Sequence, residues 1–145
     1  MRRDERGTAL VEVTWLSILL LVPLVYVVLA AFEVQRSAYA LDAATRAAGR
    51  AYSLAPDAAT GATRARAAAA VALEDQGLPG SAAGVELSCR PDPRDCLSPG
   101  SVVRVRMSYQ VPLPLVPDAL GGGAPSIRVS ADHEVPYGTF REDRS

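Results

Sequence analysis

An apolar run without a formal charge, residues 13–32, constrains this chain more than any other feature of its sequence. A helix needs about 20 apolar residues, each rising ~1.5 Å, to cross the hydrocarbon core of a bilayer. Arg2, Arg3 and Arg6 precede the run, and cytoplasmic flanks of such helices carry an excess of basic residues. The sequence therefore predicts a single membrane-spanning helix, with a cytoplasmic N-terminus and an extracytoplasmic C-terminal part.

Two residues are unusual in a segment of this kind. Glu12 places a carboxyl group just inside the N-terminal end of the run, where an ionised side chain is costly and by default marks function. Pro23 lies in the middle of the run. Spanning helices tolerate proline where neighbouring groups satisfy the freed carbonyl, so we expect a kink there and not a break.

The remaining composition points to a small extracytoplasmic domain with a thin core. A chain of 145 residues has room for one such domain beside the apolar segment. The formal net charge of −1 argues against a nucleic-acid partner, which usually requires a basic surface. A small core gains from a disulfide, a membrane or neighbouring subunits. No motif in the sequence indicates a cofactor.

The only two cysteines, Cys89 and Cys96, lie in the segment SCRPDPRDCL. Its prolines and polar residues predict a turn that lets the thiols meet, and a disulfide suits an oxidising, extracytoplasmic location. The alternative is a pair of free thiols in a loop. A metal site is poorly supported, because the sequence contains no second cysteine pair and no histidine cluster.

Helical periodicity continues after the apolar run. An apolar stripe at spacings of three or four predicts a helix over residues 33–54, and Pro56 ends it. A second helix is predicted from Asp57, as its N-cap, to Gln76, with Gly77 and Pro79 as stop signals. The predicted stripe consists of Val34, Ala38, Leu41, Ala44, Ala48 and Tyr52.

The pattern then changes to strict alternation, which predicts three half-buried strands around residues 85–90, 103–111 and 127–135. Prolines at 112, 114 and 117 end the second strand, and glycines 121–123 provide a flexible connection. We therefore predict an α+β fold: a long N-terminal transmembrane and stalk helix, a second helix and a small three-stranded antiparallel sheet with its apolar face on the helix. The polar rows of Arg104 and Arg106 and of Asp132 and Glu134 are expected to pair across strands.

The sequence predicts no catalytic residue and no enzyme. His133 is the only histidine, and its strand position places it on the apolar side of the sheet. Asp132 then points to the opposite face, which argues against a Ser-His-Asp arrangement. The triple glycine lacks the Lys and Ser/Thr of a phosphate-binding loop.

The N-terminal stretch MRRDERG-TALV-E resembles the type IV prepilin pattern, in which a charged leader ends in glycine and a glutamate follows at the fifth position of the mature chain. Within that family, RGTALVE, the mid-span proline and LDAATRAAGRAY are most similar to the TadE-like branch, the minor pilins and pseudopilins of tight-adherence (Flp-type) pilus systems. The segments PGSVVRVRMSYQVPLP and SIRVSADHEV resemble its C-terminal strands. The family often has an aromatic residue after the glutamate, whereas this chain has Val13.

This resemblance implies a minor pilin or pseudopilin that a membrane-embedded prepilin peptidase cuts between Gly7 and Thr8, with Glu12 acting in assembly. The implied partners are the membrane, the peptidase, other pilin-like subunits and the pilus assembly platform. The implied location is the cell membrane or a surface pilus. The chain then divides into a leader (1–7), a transmembrane helix (8–32), a helical stalk extension (33–55) and an extracytoplasmic helix with a small β domain (56–145).

Two alternatives remain open at this point. One is a membrane-anchored extracytoplasmic binding or accessory module that never assembles into a filament, for which Gly7 is an accident. The other is a secreted domain released from a cleaved signal peptide. It predicts a soluble product that starts near Ala31 or Leu41, with no role for Glu12.

Overall fold

The computed structural model of the protein describes residues 6–113 and 125–144. Two helices, α1 (Arg6–Ser53) and α2 (Ala58–Asp75), precede three strands, β1 (Gly84–Arg90), β2 (Val102–Pro112) and β3 (Ser126–Pro136). The strands form one antiparallel sheet in the order β1-β2-β3. The predicted α+β architecture is therefore confirmed. The start of the predicted leader, residues 1–5, and the predicted connection through residues 114–124 lie outside the described residues.

Helix α1 runs without interruption from the apolar segment into the folded domain, and it continues through Pro23. A kink at Pro23 stays a prediction. From Ser37 onward one side of α1 enters the core, whereas the predicted stripe began at Val34. Val34 and Ala38 are only half-buried, because the domain packs against the part of α1 that begins at Ser37. The buried residues on this side are Ser37, Ala40, Leu41, Ala44, Thr45, Ala48, Gly49, Tyr52 and Ser53.

Helix α2 has the predicted cap at each end. The Asp57 carboxylate accepts hydrogen bonds from the Thr60 backbone N–H and from the Thr60 hydroxyl, both at 2.8 Å. After the C-cap Gln76, Gly77 has a φ of 74°, which suits glycine because it lacks a Cβ. The Leu78 N–H then donates to the Leu73 carbonyl at 2.9 Å. This closure is a Schellman motif, and it turns the chain toward β1.

The N-cap makes the stability of the protein sensitive to acid. The Thr60 backbone N–H, and after it the Thr60 hydroxyl, lower the pKa of Asp57 below its ordinary value of 3.8. The stabilisation is therefore fully present above the unfolded pKa and is lost as the pH falls through the lower folded pKa. We expect Asp57→Asn, which keeps the cap acceptor but does not titrate, to show a shallower loss of melting temperature on acidification. Thermal unfolding of both proteins from acidic to neutral pH checks this, and identical acid profiles would contradict it.

The sheet packs its apolar face on α1 at Gly49, through β2 and β3. A Cβ built on Gly49 lies 2.6 Å from Val135 Cγ2, 3.5 Å from Val105 Cγ2 and 3.7 Å from His133 Cδ2. Only glycine permits so close an approach between the helix backbone and β3. The inward-facing row of β2 is the centre of this interface and is almost fully buried: Val103, Val105, Met107 and Val111.

The outer face of the sheet carries cross-strand ion pairs, but not between the residues that lie directly opposite. Arg104 is opposite Glu134 in the register, yet its guanidinium contacts Asp132 at 2.9 Å. Glu134 instead binds Arg90 of β1 at 2.7 Å. Long arginine side chains reach diagonal neighbours in a sheet. These pairs are exposed, and each contributes about 0–1 kcal/mol.

The C-terminal segment closes the end of α1 that is distant from the apolar run. Arg141 Nη1 donates to the Ser53 carbonyl at 2.7 Å, and Arg144 Nη1 donates to the Ala55 carbonyl at 3.4 Å. The Tyr137 side chain is almost fully buried, and its hydroxyl donates to the Glu142 carbonyl at 2.9 Å. Cations at a helix C-terminus interact favourably with the helix dipole. The segment therefore fixes the folded domain on α1.

Candidate functional site

The exposed part of α1 is the most unusual surface of the described chain. Between Val11 and Phe32 most large apolar side chains are exposed, from 44% at Val28 to 71% at Leu20. An exposed apolar surface of this extent marks an interaction with a membrane or with other proteins. In length and composition α1 is sufficient to cross a membrane, and the chain's own fold buries none of its most apolar window. The helix is thus a candidate membrane span.

Glu12 lies within this apolar surface. Its side chain is exposed, as are those of its neighbours Val11 and Val13, and no described side chain forms an ion pair with it. Thr8 and Glu12 belong to the same helix, four residues apart, so their Cα atoms are separated by about 6 Å along its axis. A free α-amine on Thr8 would therefore lie within reach of the Glu12 carboxylate.

Two further polar groups of the apolar segment differ from each other, since one has a partner within the helix and the other has lost its usual one. The Ser17 hydroxyl donates to the Val13 carbonyl of its own helix at 2.8 Å and therefore needs no external partner. Pro23 has no N–H, which leaves the carbonyl of Leu19 without its usual acceptor role in the helix. Glu12 and this carbonyl are consequently two places along the described part of the segment that invite a partner from another molecule.

Cys89 and Cys96 form a disulfide whose Cα atoms are 5.3 Å apart. It joins the end of β1 to the segment that leads into β2. The adjoining Leu97 is fully buried, and the Ser101 hydroxyl donates to the Cys96 carbonyl at 2.6 Å. The disulfide therefore holds the connection between the two strands against the core.

The other candidate residues give no sign of a reactive centre within the part of the chain that is described. His133 is half-buried on the face that packs on α1, and Asp132 lies on the opposite face, as the alternation predicts. Among residues 6–113 and 125–144, no three His, Cys, Asp or Glu side chains lie close enough to hold a metal ion. The absence of a catalytic residue, a metal and a cofactor stays a prediction.

Sequence reasoning missed two kinds of structural contact. The arginines that close the end of α1, Arg141 and Arg144, follow the last strand in a polar segment with no periodicity, so no sequence pattern indicates their targets. Gly49 interrupts an alanine-rich helix, and a glycine inside a helical pattern was the one available signal of close packing.

Comparison of the chain with protein-family models, with curated proteins and with solved structures finds no match.

Proposed function

We propose that the protein is a TadE-like minor pilin or pseudopilin. A prepilin peptidase cuts it between Gly7 and Thr8, and it assembles with other pilin-like subunits into a tight-adherence pilus or a related secretion apparatus. One observation carries the proposal: a single carboxylate, Glu12, interrupts an exposed apolar helix one turn after the Gly7–Thr8 bond.

The chemistry of this arrangement favours assembly. Cleavage creates an α-amine on Thr8, a cation one helical turn from Glu12. In a bundle of such helices the carboxylate pairs with the amine of its own chain or of a neighbour. Pairing offsets part of the desolvation that makes an isolated buried carboxylate costly. A buried polar pair also fixes the axial register of neighbouring helices.

The continuity of α1 supports a retained anchor and not a signal peptide cut before Leu41. Ser37, Ala40 and Leu41 are fully buried in the domain core. Cleavage between Ala40 and Leu41 would remove the first two of these side chains from the fold. Leaving them in place requires the helix to remain attached at least from Ser37. A cut near Ala31 leaves this core intact, so only the N-terminus of the mature protein distinguishes that product from the anchored chain.

The N-terminus of the mature protein tests the proposal. We expect intact mass and terminal sequencing of the protein purified from membranes to give Thr8 as the first residue when the prepilin peptidase is present. Gly7→Leu should leave the leader uncut, because the peptidase of this family cuts after glycine. Recovery of an uncut chain from cells that contain the peptidase would favour the anchored binding module. A soluble product starting near Ala31 would favour the secreted domain.

A further inference from the structure

Within residues 6–113 and 125–144, both outer strands of the sheet present an edge with no backbone partner. β2 pairs with β1 on one side and with β3 on the other. Among the described residues, no backbone hydrogen bond from another segment reaches the outer edge of β1 or of β3. Unpaired N–H and C=O groups of an edge strand form a template for one more strand.

The edge of β1 borders a groove of about 970 Å³ between β1 and α2. Small apolar side chains line it, and Arg66 and Glu74 stand among them. At Gly84 the first position of β1 is open, since a Cβ added there would have no other atom within 4 Å. The side chains of a strand added to β1 would therefore contact the apolar lining of the groove between β1 and α2. The apolar lining consists of Ala67, Ala69, Ala70, Pro79, Ala83 and Val85.

The edge strand β3 carries an exposed apolar side chain, which suits the apolar groove beside β1. Ile127 is 43% exposed, although its cross-strand neighbour Val111 is fully buried. Ile127 belongs to the same face of the sheet as His133 and Val135, the face that packs on α1. If β3 is added to the β1 edge of another copy so that the two sheets continue each other, the face that carries Ile127 is directed toward the groove of that copy.

Charges on the outer face select a register for such a contact. β1 and β3 run in the same direction, since both are antiparallel to β2. Parallel pairing that sets Ile127 beside Val85 also sets Glu86 beside Arg128 and Arg90 beside Asp132. Glu86 and Arg128 are both exposed, and neither forms an ion pair within the described chain. Glu86 lies opposite Arg106 of its own β2, but no ion pair joins the two side chains. Pairing between copies therefore adds an ion pair between Glu86 of one copy and Arg128 of the other.

We propose that β3 of one copy adds as a parallel strand to the β1 edge of a second copy, with Ile127 seated in the groove between β1 and α2. The inference rests on the proposed function, in which subunits stand side by side on neighbouring helices. The contact joins two different edges. It therefore leaves a free β1 and a free β3 at the ends of any row and repeats along it, whereas pairing of two identical edges closes at a dimer.

Charge reversal in trans tests this contact. Full-length chains labelled with donor and acceptor dyes are reconstituted in lipid vesicles, and energy transfer reports their association. We expect Glu86→Arg alone and Arg128→Glu alone each to weaken association about tenfold, because an attractive cross-strand pair becomes repulsive. An equimolar mixture of the two variants should recover the wild-type signal, because each unlike pair of copies then carries opposite charges at the contact.

A second pair of variants tests the apolar part of the contact. Ile127→Ser should weaken association, whereas Val71→Ser should not. Val71 is a 58% exposed apolar residue of α2 that lies outside the groove. Circular dichroism checks that each variant keeps the wild-type fold.

Three results would overturn the edge contact: wild-type association in both single charge variants, loss in only one of them, or no recovery in the mixture. Loss in only one variant indicates pairing of two identical edges. The N-terminus of the mature chain does not depend on the sheet edges. A Thr8 start with unaffected energy transfer therefore removes the edge contact and leaves the proposed function. Recovery of energy transfer in the mixture, together with an uncut N-terminus, would instead keep the edge contact and remove the proposed function.

Discussion

Glu12→Ala should leave the protein in the membrane but remove most of it from the assembled pilus or secretion apparatus. The apolar run 13–32 is unchanged by this substitution, and loss of a charge makes insertion easier. In the bundle proposed above, however, the α-amine that cleavage would create on Thr8 loses its counter-charge. Breaking a buried pair by removal of one partner costs roughly 3–5 kcal/mol, which corresponds to assembly reduced on the order of 100-fold or more.

Fractionation of cells into membrane and sheared surface material measures this effect, with the variant protein quantified in both fractions. Ser17→Ala is the matched control, because it removes a polar group from the same apolar segment whose hydrogen bond is satisfied within its own helix. Glu12→Asp should retain part of the assembly, since it keeps the charge. Wild-type amounts of Glu12→Ala protein in the assembled fraction would refute a role of this carboxylate in assembly.

Loss of the disulfide should lower the stability of the folded domain substantially. The bond closes a short loop, with a sequence separation of 7 between Cys89 and Cys96, and a loop of this length corresponds to about 2–3 kcal/mol of unfolded-state entropy. We expect the double variant Cys89→Ala, Cys96→Ala to melt roughly 10 °C below the wild type. The near-UV circular dichroism of the buried Tyr52 and Tyr137 follows this transition in detergent micelles.

Reduction supplies the control for the disulfide variant. A thiol reductant should lower the melting temperature of the wild type to about that of the double variant and should leave the double variant unchanged. Equal melting temperatures for the wild type, the reduced wild type and the double variant would show that the bond contributes nothing to the fold. The variant is not expected to change the proposed cleavage after Gly7, because the disulfide and the Gly7–Thr8 bond lie in different parts of the chain.

Local rules predict the elements well where they dominate the energy. Asp57 and Gly77 bound α2 because a side-chain acceptor and a residue tolerant of positive φ satisfy groups within a few residues of themselves. Alternation places His133 inward and Asp132 outward for the same local reason. The start of the buried stripe was predicted less well. Ser37 is buried and Val34 is only half-buried, since the extent of the folded domain along α1, and not hydrophobicity, decides where burial begins.

The ion pairs show a second limit. The alternation predicted correctly that Arg104 and Arg106 share a face with Asp132 and Glu134. It did not predict that Arg104 binds Asp132 while Glu134 binds Arg90. The choice among neighbours depends on the register of three strands and on side-chain length, which no single segment contains.

The sequence by itself determined the long apolar helix and the place of the Glu12 carboxylate within it, because a helix and its apolar surface depend on contiguous residues. Only the tertiary structure decided which groups meet across the chain: Gly49 against Val135, Arg141 on the carbonyl of Ser53, and the groove beside β1. These contacts join residues that are far apart in sequence. Their geometry is set by the packing of α1, α2 and the sheet together, which local periodicity does not encode.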